Sequence, residues 1–227
     1  MLRKDRRLTL GISLLILVLM LGVAMWTNRL IYNNVVKQCG EKGLSIVRAM
    51  SELIDVELIL DIIEKQDQRN PDYLNMLELF ERVCEENDAL YLYTVHYDQN
   101  GVLRYGIVAD GEDDTLGLIV AEEDITKEAL QSLNEGVQTY EYPYTYEQWG
   151  ALMTSNTPIR DGQGNIVGIL GVDFSEEDIV SRTKAILKQA TMIIIIVGFL
   201  ASLLTWCLFN KVLKSSLKQT ENMQQLL

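Results

Sequence analysis

The chain has 227 residues, of which 48% are hydrophobic, and its formal net charge at pH 7 is −12. This length accommodates one folded domain together with two membrane-spanning helices. An acidic chain is unsuited to binding nucleic acid or docking onto anionic lipid, which excludes two large classes of function. The acidity is concentrated in residues 28–190, which hold 13 Lys and Arg against 30 Asp and Glu, and it indicates either a solvated surface or an attraction for cationic ligands.

Two apolar segments, 8–26 and 191–209, are each long enough as helices to cross about one hydrocarbon core of roughly 30 Å. Basic residues flank them on their outer sides: Arg3, Lys4, Arg6, Arg7, Lys211, Lys214 and Lys218. Positive charge on both outer flanks predicts that both termini are cytoplasmic and that the middle of the chain lies outside. A cleaved signal peptide, with Gly22 and Ala24 at the cleavage site, is the alternative interpretation of the first segment.

Helical periodicity dominates the first part of the outer domain. A helix is predicted to continue from the membrane to about residue 50. Its apolar stripe comprises Ile31, Val35, Cys39, Ile46, Met50 and Leu53. The stripe would pair with a second copy in a homodimer or would simply cover the sheet. Two shorter helices are predicted over 51–64, with Ser51 as the cap, and over 72–86.

The next segment is predicted to form a β-hairpin. Residues 90–97 and 102–109 are strand-like, and the Asp-Gln-Asn-Gly sequence at 98–101 between them is typical of a hairpin turn. If the strands are paired symmetrically about this turn, Tyr93 shares a face with Arg104.

A loop, a helix and a strand follow this hairpin. Residues 110–114 alternate acidic side chains like the start of a calcium loop, but Thr115 and Ala121 stand where such a loop needs glycine and glutamate. A solvated loop is therefore favoured over a metal site. A short helix is predicted over 125–134 and a third strand over 139–144.

The sequence does not indicate catalysis. His96 is the only histidine, and no nucleophile motif or phosphate-binding glycine loop accompanies it. We therefore expect no enzyme activity, no cofactor and no metal. Cys39 and Cys84 would face an oxidising compartment, where a disulfide between them is one of two open alternatives.

The stretch 149–175 reads WGALMTSNTPIRDGQGNIVGILGVDFS and predicts a second β-hairpin. Its strands, 151–159 and 165–174, are joined by Asp-Gly-Gln-Gly, which is turn chemistry. A register that pairs Arg160 with Asn165 gives two faces. One carries Leu152, Thr154, Asn156, Val167, Ile169 and Asp173; the other, suited to packing against a helix, carries Met153, Ser155, Ile159, Ile166, Leu170 and Val172. A helix over 176–189, capped by Ser175, then leads to the second apolar segment.

This hairpin, with the aromatic residue and glycine before it and the helix that leads into a membrane segment, resembles the C-terminal half of a Cache domain. Cache domains are PAS-like sensor domains found outside the membrane in bacterial chemoreceptors, sensor kinases and cyclic-nucleotide enzymes. The resemblance extends more weakly back to about Leu90, and the layout of residues 1–210 resembles a single-Cache receptor. It implies an α+β fold, in which a PAS-like five-stranded antiparallel sheet carries a long N-terminal helix and is flanked by two transmembrane helices.

A candidate ligand site follows from the first face of this hairpin. Asp173 ends an apolar strand, where a carboxylate is unfavourable unless it is paired or hydrogen-bonded. In Cache sensors an aspartate similar to Asp173 can receive a ligand amine; the alternative is that Asp173 caps the exit helix or accepts hydrogen bonds from backbone donors. The predicted ligand-binding residues are Asp173, Thr154, Asn156, Trp149, Tyr144, Tyr93 and Arg104. Of the arginine–tryptophan–tyrosine pattern of amine-binding Cache domains, only Tyr146 and Trp149 are present.

The resemblance implies a bacterial transmembrane signal-transduction receptor that binds a small molecule, such as an amine or amino acid, and signals through the second membrane helix. A membrane-anchored interaction or structural module without a small ligand is the alternative. The implied location is the bacterial cell membrane, the other partners are a second copy and a cytoplasmic output domain or protein, and nucleic acid is excluded. The predicted order is a cytoplasmic N-terminus (1–7), a transmembrane helix (8–26), the extracytoplasmic domain (27–189), a second transmembrane helix (191–209) and the cytoplasmic start of a signalling linker (210–227).

Overall fold

The computed structural model describes residues 2–109, 115–146 and 149–224. Its contacts divide the chain into two units. The sheet unit comprises Asn34–Ser181, and the helical unit joins Met1–Asn33 to Arg182–Leu227. They are described separately below.

Three helices precede the sheet. Helix α1 runs without interruption over Leu2–Leu53, which confirms the predicted continuation beyond the first apolar segment. Helices α2 (Val56–Lys65) and α3 (Pro71–Asn87) follow. Asp55, rather than the predicted Ser51, caps α2, because its carboxylate accepts hydrogen bonds from two backbone amides of the first turn.

The described residues then form six strands, with a short helix, the fourth in the chain, between the second and third strands. In chain order they are β1 (Tyr91–Tyr97), β2 (Leu103–Ala109), α4 (Lys127–Glu135), β3 (Thr139–Tyr140), β4 (Tyr144–Tyr146), β5 (Gly150–Arg160) and β6 (Ile166–Ser175). The strand order across the sheet is β2-β1-β6-β5-β3, with β4 also paired to β5, and every pairing is antiparallel. The predicted α+β class with an antiparallel sheet is therefore confirmed.

The predicted third strand is divided into two short strands. Tyr140 lies opposite Ser155, whereas Tyr144 lies opposite Leu152, so the intervening segment contains one residue more than the strand it faces. Pro143 lies in this segment and has no backbone N–H to donate to the ladder. The result is a local bulge around residues 141–143.

The sheet has two differently covered faces. The helix face includes Met153, Ser155, Leu170, Val172 and Phe174, and the sheet-unit part of α1 packs on it with Gly40 and Gly43 at the contact. Ser155 Oγ donates to the Gly40 carbonyl oxygen at 3.2 Å. The residues of α1 that are buried here are Val36, Gly40, Gly43, Val47 and Met50, so the predicted stripe was largely one position away from the buried one. The opposite face, which we call the cleft face, is only partly covered by α4.

The second hairpin pairs in a register two residues from the predicted one. Thr154 lies opposite Asp173, where the prediction placed it opposite Gly171. One residue of this difference arises at the turn, where Arg160 pairs with Ile166 rather than Asn165, and the other at the register shift between Ile159 and Arg160. An even shift keeps each side chain on its predicted face, whereas an odd shift would have exchanged the faces. Ile166 is the exception, since it packs with Ile169 on the cleft face beyond the irregularity.

The helical unit contains the apolar parts of α1 and of α5, which spans Glu176–Gln224. Both helices have an 18-residue stretch apolar enough to cross a membrane by length and composition, with mean hydropathies of 2.0 and 2.6. Asn28 Nδ2 donates to Thr191 Oγ1 at 3.1 Å, which links the two helices. Asp178 N donates to Ser175 Oγ at 3.4 Å, so the predicted cap at the start of α5 is confirmed.

The close approach of α1 to the sheet predicts the effect of substituting Gly43. A Cβ atom at this position would meet the Ser155 side chain and the Phe174 ring. Gly43→Val should therefore destabilise the folded chain by about 1–3 kcal/mol through overpacking, and should lower its melting temperature in detergent micelles. Gly162→Ala is the matched control, since a Cβ there would meet nothing within 4 Å. Equal melting temperatures for the two variants would contradict the packing.

Candidate functional site

A cleft opens on the part of the cleft face that α4 leaves uncovered. Its empty space is about 400 Å³, including the mouth that opens to solvent. The described residues that line it are mostly aromatic or acidic: Tyr91, Tyr93, Tyr105, Val108, Thr115, Asp124, Tyr146, Trp149, Leu152 and Asp173. Pockets lined by aromatic groups with few polar groups are typical small-molecule sites.

Asp173 forms the acidic floor of this cleft. It is 5% exposed, and its Oδ1 accepts a hydrogen bond from Thr154 Oγ1 at 2.6 Å and a longer one from the Tyr93 hydroxyl at 3.5 Å. Burial raises the pKa of this carboxyl from 3.8 to about 7; the Thr154 and Tyr93 hydrogen bonds act in the opposite direction, and the nearby Glu141 adds to the rise.

Aromatic rings form the walls, and they contact one another edge to face. The centroid of Trp149 lies 5.6 Å from that of Tyr91 and 6.4 Å from that of Tyr105, and Tyr105 lies 6.2 Å from Tyr93. Trp149 Nε1 also donates to Asp124 Oδ2 at 3.3 Å, which holds the indole in place. Such edge contacts and the indole hydrogen bond give the walls a defined shape.

A second buried carboxyl, Glu141, lies beside the first. It is 6% exposed, in the bulge between β3 and β4, and its Oε1 accepts from Thr126 Oγ1 at 3.1 Å. Burial raises its pKa from 4.5 to about 7, against the opposing hydrogen bonds from Thr126, Tyr146 and Thr154. Thr154 thus joins the two residues: its hydroxyl donates to Asp173 Oδ1, and its backbone oxygen accepts a hydrogen bond from Glu141 N at 3.0 Å.

The structure brings four of the seven predicted site residues together. Tyr93, Trp149 and Asp173 line the cleft, and Thr154 lies directly behind Asp173. Asn156 shares their face but is fully buried, with no hydrogen-bond partner for its amide atoms among the described residues. Thus Asn156 is outside the cleft lining.

The other two predicted residues are elsewhere. Tyr144 is 51% exposed and stacks edge to face on Tyr146 with ring centroids 5.0 Å apart, on the outside of the cleft wall. Arg104 lies opposite His96, so the predicted face was wrong: the turn pairs Tyr97 with Leu103, one residue away from the symmetric pairing. An odd shift reverses the faces of a strand, which puts Tyr105 rather than Arg104 on the cleft face. Arg104 instead forms an ion pair with Asp98 at 2.7 Å.

Sequence reasoning missed Tyr91, Tyr105, Asp124 and Glu141. The concentration of tyrosines in the first hairpin was a usable signal for Tyr91 and Tyr105. Parity with Tyr93 puts Tyr91 on the cleft face, whereas only the correct register assigns Tyr105 to it. Asp124 and Glu141 lack such a signal, because a short 3-10 turn and an irregular bulge place them.

The other residues that the sequence analysis considered for chemistry are not grouped into one site. His96 is buried, and its Nδ1 has no hydrogen-bond partner in the described part of the chain; burial lowers its pKa. The structure records Cys39 and Cys84 as thiols on α1 and α3. Within the described ranges no group of three or more His, Cys, Asp or Glu residues could hold a metal ion, and the acidic loop 110–114 lies outside these ranges.

The known proteins to which this chain is similar include sensor proteins. The chain is 24% identical over 211 residues to the sensor protein CitS of Halalkalibacterium halodurans; the match covers 91% of this chain and 35% of that protein, so the chain spans about a third of its relative. The sensor domain of the Vibrio cholerae histidine kinase DctB superposes with a TM-score of 0.54 at 13% identity, over 71% of this chain and 58% of that one.

A second structure, the Escherichia coli DcuS sensor domain, gives a TM-score of 0.49 at 15% identity and covers 66% of this chain and 98% of its own. No family model matches the chain. The DctB superposition shows the fold alone, and at that level the expected single Cache-like, PAS-like domain is confirmed.

The two buried carboxyls predict how stability depends on pH. Because each folded-state pKa is about 7, against ordinary values of 3.8 and 4.5, the folded chain binds more protons than the unfolded chain between about pH 4 and 7. Stability should therefore fall as the pH rises through this window and level off above about pH 8, with each group contributing on the order of 2–4 kcal/mol.

Melting temperatures of the full chain in detergent at pH 5, 6.5 and 8 measure this dependence. Asp173→Asn cannot ionise and should flatten it, whereas Glu86→Gln, which removes an exposed carboxylate on α3, should leave it as in the wild type. A wild-type chain that gains stability from pH 5 to 8 relative to Asp173→Asn would contradict the assignment of the raised pKa.

Proposed function

We propose that the chain is the sensory part of a bacterial transmembrane receptor, in which the sheet unit lies outside the membrane and binds a small molecule in the Asp173 cleft. The observation that carries this proposal is the carboxyl group itself. Asp173 is buried, lines the cleft together with aromatic rings, and forms no ion pair with a described residue. A buried ionisable group with a strongly perturbed pKa in a cleft is a typical functional residue.

The connection from the cleft to the membrane segment supports the signalling half of the proposal. Asp173 lies two residues before the end of β6, and β6 passes directly into α5 without a loop. A ligand that draws Asp173, Thr154 or Tyr93 towards it would move the end of this strand, and α5 is the continuous helix that leaves it. Helix shifts of about 1–2 Å are sufficient to switch proteins of many kinds.

The remaining parts of the proposal concern partners and topology. A homodimer, an output domain or partner protein, and cytoplasmic termini follow from the receptor layout and from the flanking positive charges. The domain limits 27–189 and 191–209 are proposed on the same basis.

Ligand binding should appear as thermal stabilisation. The full chain in detergent, screened against amines, amino acids and carboxylates, should show an upward shift of about 5–10 °C with one class at a hundredfold excess over Kd, equivalent to about 2.7 kcal/mol. Asp173→Ala should lose most of this shift while its own unfolding stays cooperative.

The matched control is Asp72→Asn, which removes an exposed carboxylate at the start of α3 and should keep the full shift. A shift that survives in Asp173→Ala would place the ligand elsewhere. If no compound stabilises the wild type, the interaction module without a small ligand becomes the better account.

The topology is tested with reporters that are active only outside the cytoplasm. A reporter inserted at Gly162, in the exposed turn between β5 and β6, should be active, and one fused after Leu227 should be inactive. Activity after Leu227 would contradict the arrangement with both termini in the cytoplasm.

A further inference from the structure

We infer that the cleft selects a cationic amine that carries no carboxylate, an inference that rests on the proposed function. This cation replaces a proton held by the Asp173–Glu141 pair. Three features of the cleft lead to this inference: its aromatic walls, the absence of a basic group among its described lining residues, and the second carboxyl behind its floor.

The walls and floor together suit a positive charge. Tyr91, Tyr105 and Trp149 line the cleft together with Asp173, and Trp149 contacts the two tyrosine rings edge to face. A cation over such rings is stabilised by the ring quadrupole, more so when it is removed from water, and the carboxylate below supplies an opposite charge.

A ligand carboxylate has no counterpart here. None of the described residues that line the cleft is Lys or Arg. Arg104, the basic residue of β2, is engaged by Asp98 and by the Gly117 carbonyl oxygen at 2.9 Å. A ligand carboxylate would therefore lie unpaired in an acidic site, which is strongly unfavourable.

The acid pair holds a proton in the absence of a cation. Asp173 and Glu141 are both buried, and Thr154 links them, since its hydroxyl donates to the Asp173 carboxyl and its backbone oxygen accepts from Glu141 N. None of the described titratable groups around the pair can carry a positive charge. They are tyrosines, a cysteine and carboxylic acids: Tyr93, Tyr105, Tyr146, Cys84, Glu128 and Asp124. Two ionised carboxylates in such surroundings repel each other, so below about pH 7 the pair keeps at least one proton.

The pKa values of both carboxyl groups, raised to about 7 by burial, agree with this geometry. On binding, the ammonium group forms an ion pair with the Asp173 carboxylate, and the proton that this carboxyl carried leaves to solvent. The exchange conserves charge in the cleft: one positive charge enters and one proton departs. Binding should therefore weaken as the pH falls, because protons compete with the amine.

A matched panel tests the ligand class on the full chain in detergent. It contains the common amino acids, the amine that each leaves on losing its carboxyl group and the acid that each leaves on losing its amino group, such as valine, isobutylamine and isovalerate. For the side chain that fits best, the amine should bind at least tenfold more tightly than its parent amino acid, and the acid should not bind. Tighter binding of the amino acid or of the acid would overturn the ligand class.

Titration calorimetry with the best amine tests the proton exchange. The Kd at pH 6 should be about tenfold larger than at pH 8, and two buffers of different ionisation enthalpy should report close to one proton released per amine at pH 6. The quaternary ammonium analogue, which has no titrating proton of its own, should behave in the same way. A pH-independent Kd without proton release would overturn the exchange.

Glu141→Gln isolates the contribution of the second carboxyl. The amide keeps the size of the side chain but removes its charge, so the pKa of Asp173 should fall, and both the proton release at pH 6 and the ratio of Kd values should decrease to less than half. Glu86→Gln is the matched control and should behave as the wild type. Unchanged proton release in Glu141→Gln would remove Glu141 from the proposal.

The outcomes separate this inference from the proposed function. Amino-acid or acid binding that Asp173→Asn abolishes would leave the sensor proposal standing and refute the selection of a carboxylate-free cation. Failure of every panel member to bind at pH 6 and at pH 8 would refute both.

Discussion

The burial of two carboxyl groups on one face of an antiparallel sheet is the constraint on which the site depends. An ionised carboxylate in apolar surroundings is destabilising unless hydrogen bonds or a counter-charge compensate it. Among the described residues, hydroxyl groups of Thr154 and Tyr93 donate to Asp173, and that of Thr126 donates to Glu141. The described part of the fold therefore holds the pair in a state that a cation entering the cleft would stabilise further.

The two faces of the sheet are packed differently. On the helix face, Gly40 and Gly43 let the backbone of α1 approach β5 closely enough for Ser155 to donate to a helix carbonyl. That close packing makes the face rigid. On the opposite face α4 covers Val95 and Ile169 with Ala129 and Leu133 and leaves the remaining surface to the aromatic cleft. The cleft is thus an uncovered part of an otherwise packed sheet.

The position of the site within the chain gives it a route to the membrane segment. Asp173 is on the central strand β6, between β1 and β5, and the same strand continues into α5. Strands β1 and β5, which also contribute residues to the cleft, are hydrogen-bonded to β6 on either side. In the proposed receptor, a change in the cleft would therefore reach the first turn of α5 through backbone hydrogen bonds rather than through a flexible loop.

The two helices apolar enough to cross a membrane, the antiparallel α+β class and the grouping of Thr154 with Asp173 could all be predicted from the sequence alone, because each depends on local hydropathy or on the parity of one tight hairpin. Asp173 and Thr154 stayed on one face although the register was two residues away from the predicted one, since side chains alternate with a period of two. The positions of Arg104 and Glu141 depended instead on strand register and on a bulge. A single-residue offset in the first hairpin moved Arg104 to the helix face, and the bulge after Tyr140 turned Glu141 inward beside Asp173. Register offsets and bulges are decided by the fit of whole strands against their neighbours and against the helices that cover them, which no local sequence pattern contains.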